Sequence, residues 1–339
     1  MPSSAKHARH DVVGMAPCAG TPAHGALFAP IQYLFPFCVT MCMKRFVTIL
    51  VLLLALSPLQ AQTPLTRSDR AVPSLVAPAF FGPNAFPVPE MADTSAFGKW
   101  SFELAAEGFW GFEGDRTADP FARLRLPLWS DRVSLSLWMP LVEFYGSTEA
   151  RLTTCRVQEE WHDKAMSGHL GGDLYVSTDM LLLREGAMRP SLIVRAALKT
   201  ASGGRYECAR YYDSPGYFFD ATVGKGFVLN KAGTTRLHMS ASTGFLCWQT
   251  NNGRQNDAVM YGAQVRLRAG HWSLEETLTG YSGWEHAGDC PVTLRSRIAL
   301  HFNRLEPYVM YLYGLRDYPF HQLRLGVAYT LPYRPHQNW

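Results

Sequence analysis

Hydrophobic and polar residues alternate with a period of two along most of the chain after Lys99. In the clearest segment, residues 259–268, apolar side chains occupy every second position from Val259 to Leu267, and Gln264 and Arg266 stand between them. Successive side chains of a β-strand point to opposite faces, so this period indicates strands with one apolar and one polar face. Repeated segments of about ten such residues are typical of transmembrane β-strands.

The alternation predicts twelve strands. Their ranges are 100–112, 121–129, 133–145, 173–183, 192–200, 217–229, 236–248, 259–268, 272–281, 294–301, 308–313 and 322–331. The last strand sets Leu323, Leu325 and Val327 against Gln322 and Arg324. The ninth and eleventh strands alternate less cleanly than the others.

The predicted connections alternate in length. Short ones at 130–132, 185–190, 231–235, 270–271 and 303–306 are interleaved with mostly longer ones at 146–172, 201–216, 249–258 and 282–291. Outer-membrane barrels have short periplasmic turns and longer extracellular loops, whereas a soluble sandwich requires no such order. We therefore predict an all-β fold, an antiparallel up-and-down transmembrane β-barrel of twelve strands spanning residues 99–331.

The polar faces of the predicted strands carry charges in mid-strand. A soluble two-sheet core would have to bury these charges at several kcal/mol each, but a wet or ion-paired lumen would not. The predicted lumen cations are Arg123, Arg125, Arg195, Lys199, Arg266, Arg295, Arg297 and Arg324. They would favour a small anionic solute. Strict alternation directs Glu276 and Lys225 towards lipid, which a bulge or snorkelling near a strand end would relieve.

The average composition is consistent with a barrel, because outward apolar and inward polar residues offset each other in any average. Hydrophobic residues make up 47% of the chain and charged residues 18%, so disorder is not expected. The chain has no apolar run of about 20 residues, which disfavours a helical membrane span. A formal net charge of +4 gives no sign of nucleic-acid binding.

The N-terminal third shows processing signals. Met43, Lys44 and Arg45 precede an apolar run from Phe46 to Leu56, which predicts a signal peptide over 43–61 cleaved before Gln62. Residues 1–42 are then upstream translated sequence. Residues 62–98 form a proline-rich extended leader that lies in the periplasm or tucks into the barrel, and its apolar stretch AFFGPNAFPVPEM favours tucking. Residues 332–339 are a C-terminal tail.

The predicted loops contain polar and aromatic clusters but no catalytic motif. GYSGW at 280–284 has Trp284 where a nucleophile elbow requires glycine, and no catalytic residue is assigned. The candidate ligand-binding residues of the loops are Arg210, Asp213, Arg254, Asp257, Arg316, Asp317 and His321. The alternative is ordinary turn chemistry with charges that pair among themselves, which the turn-forming dipeptide Asn252-Gly253 supports.

Four cysteines follow the predicted cleavage site, in a compartment that permits disulfides. Cys155 and Cys208 fall in neighbouring predicted loops, so a bridge between them is possible, and unpaired thiols are the alternative. No Cys/His pair has zinc spacing and no EF-hand is present, so neither a metal nor a cofactor is predicted.

The stretches AFFGPNAFPVPEM, LKTASGG, ARYYDSPGYFFD, WQTNNGRQND and YGLRDYPFHQ resemble the uncharacterised outer-membrane barrel proteins of the Bacteroidota type. The resemblance covers about Val72 to Tyr329. It implies residence in the outer membrane of a Gram-negative cell, in contact with membrane lipid and lipopolysaccharide. It implies no activity and no catalytic residues.

Three functions follow from these predictions. The first is a passive pore or ligand-binding barrel for a small anionic solute. The second is an acyl hydrolase acting on outer-leaflet lipid, such as a phospholipase or a lipid A deacylase. The third is a structural or surface-interaction protein.

Overall fold

Fourteen strand segments run through the described part of the chain, with short helices between some of them. The structure is a computed structural model that describes residues 77–94, 97–128, 131–204, 206–212, 214–249, 255–284 and 288–332. The predicted segments 1–42 and 43–61 lie outside the described residues, as do 333–339 of the predicted tail.

The strands are β1 (Lys99–Gly111), β2 (Arg116–Pro127), β3 (Val133–Pro140), β4 (Glu143–Gly146), β5 (Ser167–Leu170), β6 (Tyr175–Leu183), β7 (Ser191–Lys199), β8 (Gly216–Val228), β9 (Thr235–Gln249), β10 (Gln255–Ala269), β11 (Trp272–Gly283), β12 (Val292–Leu300), β13 (Leu305–Arg316) and β14 (Phe320–Pro332). The α-helices are α1 (Glu149–Thr154) and α2 (His162–Met166). Single 3-10 turns occur at Pro78–Phe80, Phe112–Gly114, Glu159–Trp161 and Tyr206–Cys208. None of the described helices is long and apolar enough to cross a membrane.

The sheet closes on itself because β1 pairs with β2 on one side and with β14 on the other. Every pairing is antiparallel. Strands β3 and β4 both pair with β2 along the same edge, and β3 pairs in turn with β6 and β4 with β5. Segments β3 and β4 therefore form one interrupted strand, and β5 and β6 form another. The fourteen segments thus occupy twelve positions in the barrel. The prediction of a twelve-stranded antiparallel β-barrel is confirmed.

Proline explains the interruption between β3 and β4. Pro120 lies within β2 and has no N–H group to donate to a neighbouring strand. Its carbonyl accepts a hydrogen bond from the Leu141 N–H at 2.7 Å. The N–H and C=O groups of one residue in an antiparallel strand lie on the same side, so the side on which Pro120 lacks an N–H faces residues 141–142. The ladder breaks where β2 cannot supply a bond.

The two ends of the barrel differ. One end, called the turn end, holds Lys99, Pro332 and the connections 184–190, 229–234, 270–271 and 301–304. The other, called the loop end, carries the long connections 147–166 and 200–215. The loop 147–166 contains α1 and α2, and Thr148 caps α1 by accepting a hydrogen bond from the Arg151 N–H at 3.2 Å.

The outer face of the barrel is apolar. On β1, Trp100, Phe102 and Leu104 are 43%, 45% and 48% exposed. Other exposed apolar side chains of the outer face include Leu198, Phe219, Val259, Ile298, Val309, Leu325 and Val327. A continuous apolar belt of this kind suits contact with lipid, because exposing so much apolar surface to water would be unfavourable.

Lys225 reaches the barrel end instead of remaining among the lipid-facing side chains. Its ammonium group donates to the carbonyl of Ala187 at 2.9 Å and lies 3.4 Å from the carboxylate of Glu185, both in the 184–190 turn. The long aliphatic stem covers apolar surface while the charge stays at the edge. Snorkelling therefore accommodates this residue.

Glu276 keeps its outward position. The register of β11 with β10 and β12 is regular at this point, so no bulge turns the side chain inward. Its carboxylate accepts a hydrogen bond from the Ser296 hydroxyl at 2.7 Å, and Leu274 and Leu278 lie on the same face. A carboxyl group is thus placed within the apolar belt.

Replacing this carboxyl group should stabilise the barrel in lipid. We expect Glu276→Leu to raise the free energy of unfolding in lipid vesicles by about 1–2 kcal/mol, because an acid on the lipid face is unfavourable. Denaturant titration of vesicle-inserted protein measures this change. The neighbouring control, Glu275→Leu, should destabilise, because Glu275 faces inward and pairs with Arg266 at 2.5 Å. A loss of stability in Glu276→Leu would contradict the expectation.

Candidate functional site in the barrel lumen

Residues 77–94, called the lumen segment, run through the barrel from the loop end to the turn end. Cys155 of the long loop lies next to Ala79 at one end, and His238 of β9 lies 3.1 Å from Thr94 at the other. Prolines at 78, 83, 87 and 89 prevent a regular helix, so the segment turns at 78–80 and 83–85 and has no regular secondary structure from 87 onward. The carbonyls of Ala77, Pro78 and Gly82 accept hydrogen bonds from within the segment, and side chains of the barrel donate to carbonyls further along it.

The half of the lumen segment nearest the loop end is held by aromatic packing. Phe81 and Phe86 are buried, with ring centroids 5.4 Å apart in an edge-to-face arrangement. The ring of Phe81 also contacts Tyr212 at 5.3 Å, and that of Phe86 contacts Trp248 at 5.8 Å. Tyr318 donates its hydroxyl to the Pro83 carbonyl at 3.0 Å. This half of the lumen is a packed core rather than an open passage.

A buried group of polar side chains, called the mouth cluster, lies beside that packing. It consists of Asn84, Asp115, Asp119, Glu143 and Arg210. Arg210 bonds Glu143 at 2.6 Å and Asp115 at 3.0 Å, and Asn84 donates to Asp119 at 3.1 Å and to Glu143 at 2.9 Å. The cluster therefore fastens the lumen segment to β2, β4 and the 200–215 loop.

Backbone contact reinforces the mouth cluster. The Gly82 N–H donates to the Arg210 carbonyl at 3.0 Å, and a Cβ at Gly82 would lie 2.9 Å from the Arg210 guanidinium carbon. Only glycine fits this approach without displacement. Burial alone would lower the pKa of Arg210, but the carboxylates of Glu143 and Asp115 raise it above its ordinary value.

The 147–166 loop covers the loop end of the lumen segment. Arg151 is buried, donates to the Phe81 carbonyl at 2.9 Å and lies 4.3 Å above the Phe112 ring. Burial lowers the pKa of Arg151 to about 10. Cys155 and Cys208, both described, line one small cavity here and no disulfide joins them in the structure, so the bridge stays a prediction.

Glu90 is the centre of a second group, called the central cluster, which also contains Glu103, Glu107, Arg123 and Arg324. One oxygen of Glu90 lies 2.7 Å from Arg123, and the other lies 2.9 Å from Arg324. Arg123 also pairs with Glu103 at 3.2 Å, and Arg324 contacts Glu107. Two arginines of the wall thus hold the two oxygens of one carboxylate from the lumen segment.

Three further arginines contact the lumen segment. Arg295 donates to the Val88 carbonyl at 2.5 Å, and Arg195 donates to the Glu90 carbonyl at 2.8 Å. Arg266 pairs with Asp93 at 3.2 Å nearer the turn end. The half of the segment nearest the turn end is therefore held by guanidinium groups, in contrast to the aromatic packing of the other half.

All eight predicted lumen cations lie on the inner face of their strands. Six of them pair with carboxylates: Arg123, Arg195, Lys199, Arg266, Arg297 and Arg324. Among the described residues, Arg125 and Arg295 have no ion pair, and Arg125 donates to Ser136 at 3.4 Å. The lumen is thus lined by both charge signs.

The structure does not bring the predicted loop residues into one site. Arg210 belongs to the mouth cluster, whereas Arg316 is exposed and pairs with its neighbour Asp317 at 3.4 Å. His321 lies on the outer face of β14, where its ring accompanies Tyr311 and Tyr313. Asp257 is opposite Cys247 at the loop end of β10. Asp213 and Arg254 lie outside the described residues.

The carboxylates of the lumen were not among the predicted site residues. Glu103 and Glu107 stand on the same face of β1 as Ser101, and Glu103 is directly opposite Arg123 in the β1–β2 register. The period of two places Glu103 and Glu107 on the polar face of the first predicted strand, although neither was chosen as a candidate site residue. Glu90 had no such signal, because the lumen segment has no periodicity.

A Ser–His–Glu chain lies near the turn end of the described barrel. The His301 ring is 2.8 Å from the Ser273 hydroxyl and 2.8 Å from the Glu306 carboxylate. Glu306 also pairs with Arg297 at 2.6 Å, and Ser273 is buried on the inner face. Its position at the end opposite to the long loops does not favour the predicted hydrolysis of outer-leaflet lipid.

A cavity of about 110 Å³ remains beside the central cluster. It lies between the lumen segment and the inner wall, and β1, β2, β3, β6, β7, β8, β9, β12, β13 and β14 all contribute to its lining. Its lining includes Arg123, Arg125, Arg324, Phe121, Trp138 and Tyr175. A volume of this size holds on the order of ten water molecules.

Comparison with known proteins concerns the fold alone. No protein-family model matches the chain, and no curated protein matches it. An outer membrane channel from Pseudomonas putida F1 has 12% sequence identity and a TM-score of 0.45, and the match covers 73% of this chain and 97% of that one. The NanC porin has 10% identity and a TM-score of 0.45, with 68% and 100% covered. The KdgM porin, in complex with disordered oligogalacturonate, has 12% identity and a TM-score of 0.38, with 68% and 98% covered.

Proposed function

We propose that this chain is a passive pore of the outer membrane of a Gram-negative bacterium, of the Bacteroidota type, and that the lumen segment closes it at rest. The turn end then faces the periplasm and the loop end the cell exterior, as in other barrels of this design. The apolar belt contacts membrane lipid and lipopolysaccharide. The observation that carries the proposal is a barrel with arginines on its inner wall, several of which hold a segment of the same chain.

Closure follows from the two ways in which the lumen segment is held. Phe81 and Phe86 fill the half nearest the exterior with aromatic packing, and Arg151 covers them from the loop. Burial of each such ring stabilises by roughly 1.5–3 kcal/mol, so this half stays closed unless the segment is displaced. The other half is held by ion pairs and hydrogen bonds, which water and solutes can replace.

A small anionic solute is the class that the inner wall supports. Five guanidinium groups of the barrel strands contact the lumen segment: those of Arg123, Arg195, Arg266, Arg295 and Arg324. Their present partners are two carboxylates and two carbonyl oxygens, which are acceptors that an anionic solute also offers. Displacement of the segment would leave these groups facing the passage.

Planar-bilayer recording tests the pore. We expect the full chain to show almost no conductance, and a variant lacking residues 77–94 to conduct with a reversal potential that favours anions. Heat-dependent gel migration verifies that the variant barrel is folded. A milder variant, Glu90→Gln with Asp93→Asn, keeps the segment but weakens its ion pairs, and it should open intermittently. A folded deletion variant without conductance would contradict the pore.

A further inference from the structure

The position of the Glu90 carboxylate has the properties of a ligand site that the chain fills with its own side chain. We propose that this position is a binding site for the carboxylate of a small organic acid with a flat, apolar body, and that the body occupies the adjacent cavity. This inference rests on the proposed function, because it names the class of solute that enters the lumen. Glu90 is then an internal competitor of that solute.

The geometry around Glu90 is that of a carboxylate receptor. Each of its two oxygens has its own guanidinium group, Arg123 at 2.7 Å and Arg324 at 2.9 Å. Charge-assisted hydrogen bonds of this length are among the strong ones in proteins, and guanidinium groups match carboxylates in shape as well as in charge.

The wall holds the two arginines without help from the lumen segment. Arg123 pairs with Glu103 at 3.2 Å, and Arg324 contacts Glu107. Both guanidinium groups also lie over the Phe121 ring, at 5.1 Å and 4.3 Å from its centre. The receptor is therefore preorganised by β1, β2 and β14, and Glu90 is its replaceable member.

Exposure of the side chains agrees with this assignment. The Glu90 side chain is 31% exposed, whereas that of Arg324 is 9% exposed. Glu90 can leave by rotation about its own side-chain bonds. Phe81 and Phe86 remain in place during such a rotation, so ligand binding does not require that the whole segment leave the barrel.

The cavity beside the receptor determines the rest of the ligand. Phe121, Trp138 and Tyr175 are among the residues that line it, and the rings of Trp138 and Tyr175 are stacked 5.2 Å apart at 13°. Aromatic side chains supply apolar surface against which a flat apolar body packs. Both arginines of the receptor line the same cavity, so one molecule can place its carboxylate at the receptor and its body among the rings.

Glu90 competes with any free carboxylate for the two arginines of the receptor. A carboxylate tethered next to its receptor has a high effective concentration and weakens the binding of any free carboxylate. Removal of the Glu90 charge should therefore improve binding of the ligand, which is the opposite of what removal of a contact residue does.

Titration calorimetry on the purified full chain in detergent tests this consequence, with benzoate as the probe and benzamide as its uncharged counterpart. We expect Glu90→Gln to bind benzoate at least tenfold more tightly than the unmodified chain. The matched control Glu159→Gln makes the same substitution at an exposed position of the 147–166 loop, away from the receptor, and it should leave benzoate binding unchanged. Benzamide should bind to none of the proteins. Equal affinity of Glu90→Gln and the unmodified chain, or equal binding of benzamide, would overturn the inference.

A second measurement needs no substitution. Phenylglyoxal modifies accessible arginines, and peptide mass spectrometry reports which ones. Benzoate should slow the modification of Arg123, whose side chain is 21% exposed, but not that of Arg316, whose side chain is 68% exposed at the loop end. Lack of protection would overturn the site. Calorimetry and protection do not depend on conductance, so a closed barrel that binds benzoate contradicts only the pore, and a conducting barrel that does not bind it contradicts only this inference.

Discussion

Replacement of Arg210 by methionine should destabilise the barrel by about 3–5 kcal/mol, because it leaves buried carboxylates without their cation. Arg210 is 2% exposed, and its partners Glu143 and Asp115 are 0% and 2% exposed. Water cannot reach these carboxylates to replace the lost hydrogen bonds. Denaturant titration of the barrel in lipid vesicles measures the change in the free energy of unfolding.

Two controls separate this effect from a general loss of charge. Arg184→Met breaks an exposed pair with Asp131, whose side chains are 50% and 49% exposed, and it should change stability by less than about 1 kcal/mol. Combining Arg210→Met with Glu143→Gln and Asp115→Asn should recover part of the loss, because the partners then need no cation. Equal losses in Arg210→Met and Arg184→Met would show that the mouth cluster is not a buried ion-pair network.

The strands of this barrel were predictable because lipid and lumen impose opposite polarity on alternate residues. The inner positions of Arg195 and Arg324 and the outer position of Leu325 all follow from a period of two. The same parity places His321 on the face of Leu323, outside the lumen, although its neighbourhood in the sequence suggested a loop site. For residues near a strand end, parity was a better guide than membership of a polar cluster.

The lumen segment was predictable only in part. Its prolines indicated an extended chain and its apolar residues favoured a place inside the barrel. Its register was not predictable, because the contact of Glu90 with Arg123 and Arg324 joins residues that are 33 and 234 positions apart and belong to no ladder. The break between β3 and β4 had a local signal in Pro120, but recognising it required the partner strand.

Phe86→Ala should release the lumen segment more than any substitution on the outer face. The Phe86 ring is 1% exposed and packs against Phe81, Tyr212 and Trp248. Its truncation should therefore lower the free energy of unfolding by about 3–5 kcal/mol. The outer-face control is Phe102→Ala, which exchanges one contact with lipid for another and should cost much less, because lipid chains are as apolar as the side chain.

Proteolysis detects this release directly. An endoproteinase that cleaves after glutamate can cut the segment at Glu90, but only when the segment leaves the arginines that hold it. We expect rapid cleavage there in Phe86→Ala, and slow cleavage in both the unmodified chain and Phe102→Ala. If cleavage of Phe86→Ala is as slow as in the unmodified chain, the ion pairs of Glu90 suffice to hold the segment, and the aromatic packing is not what keeps the lumen closed.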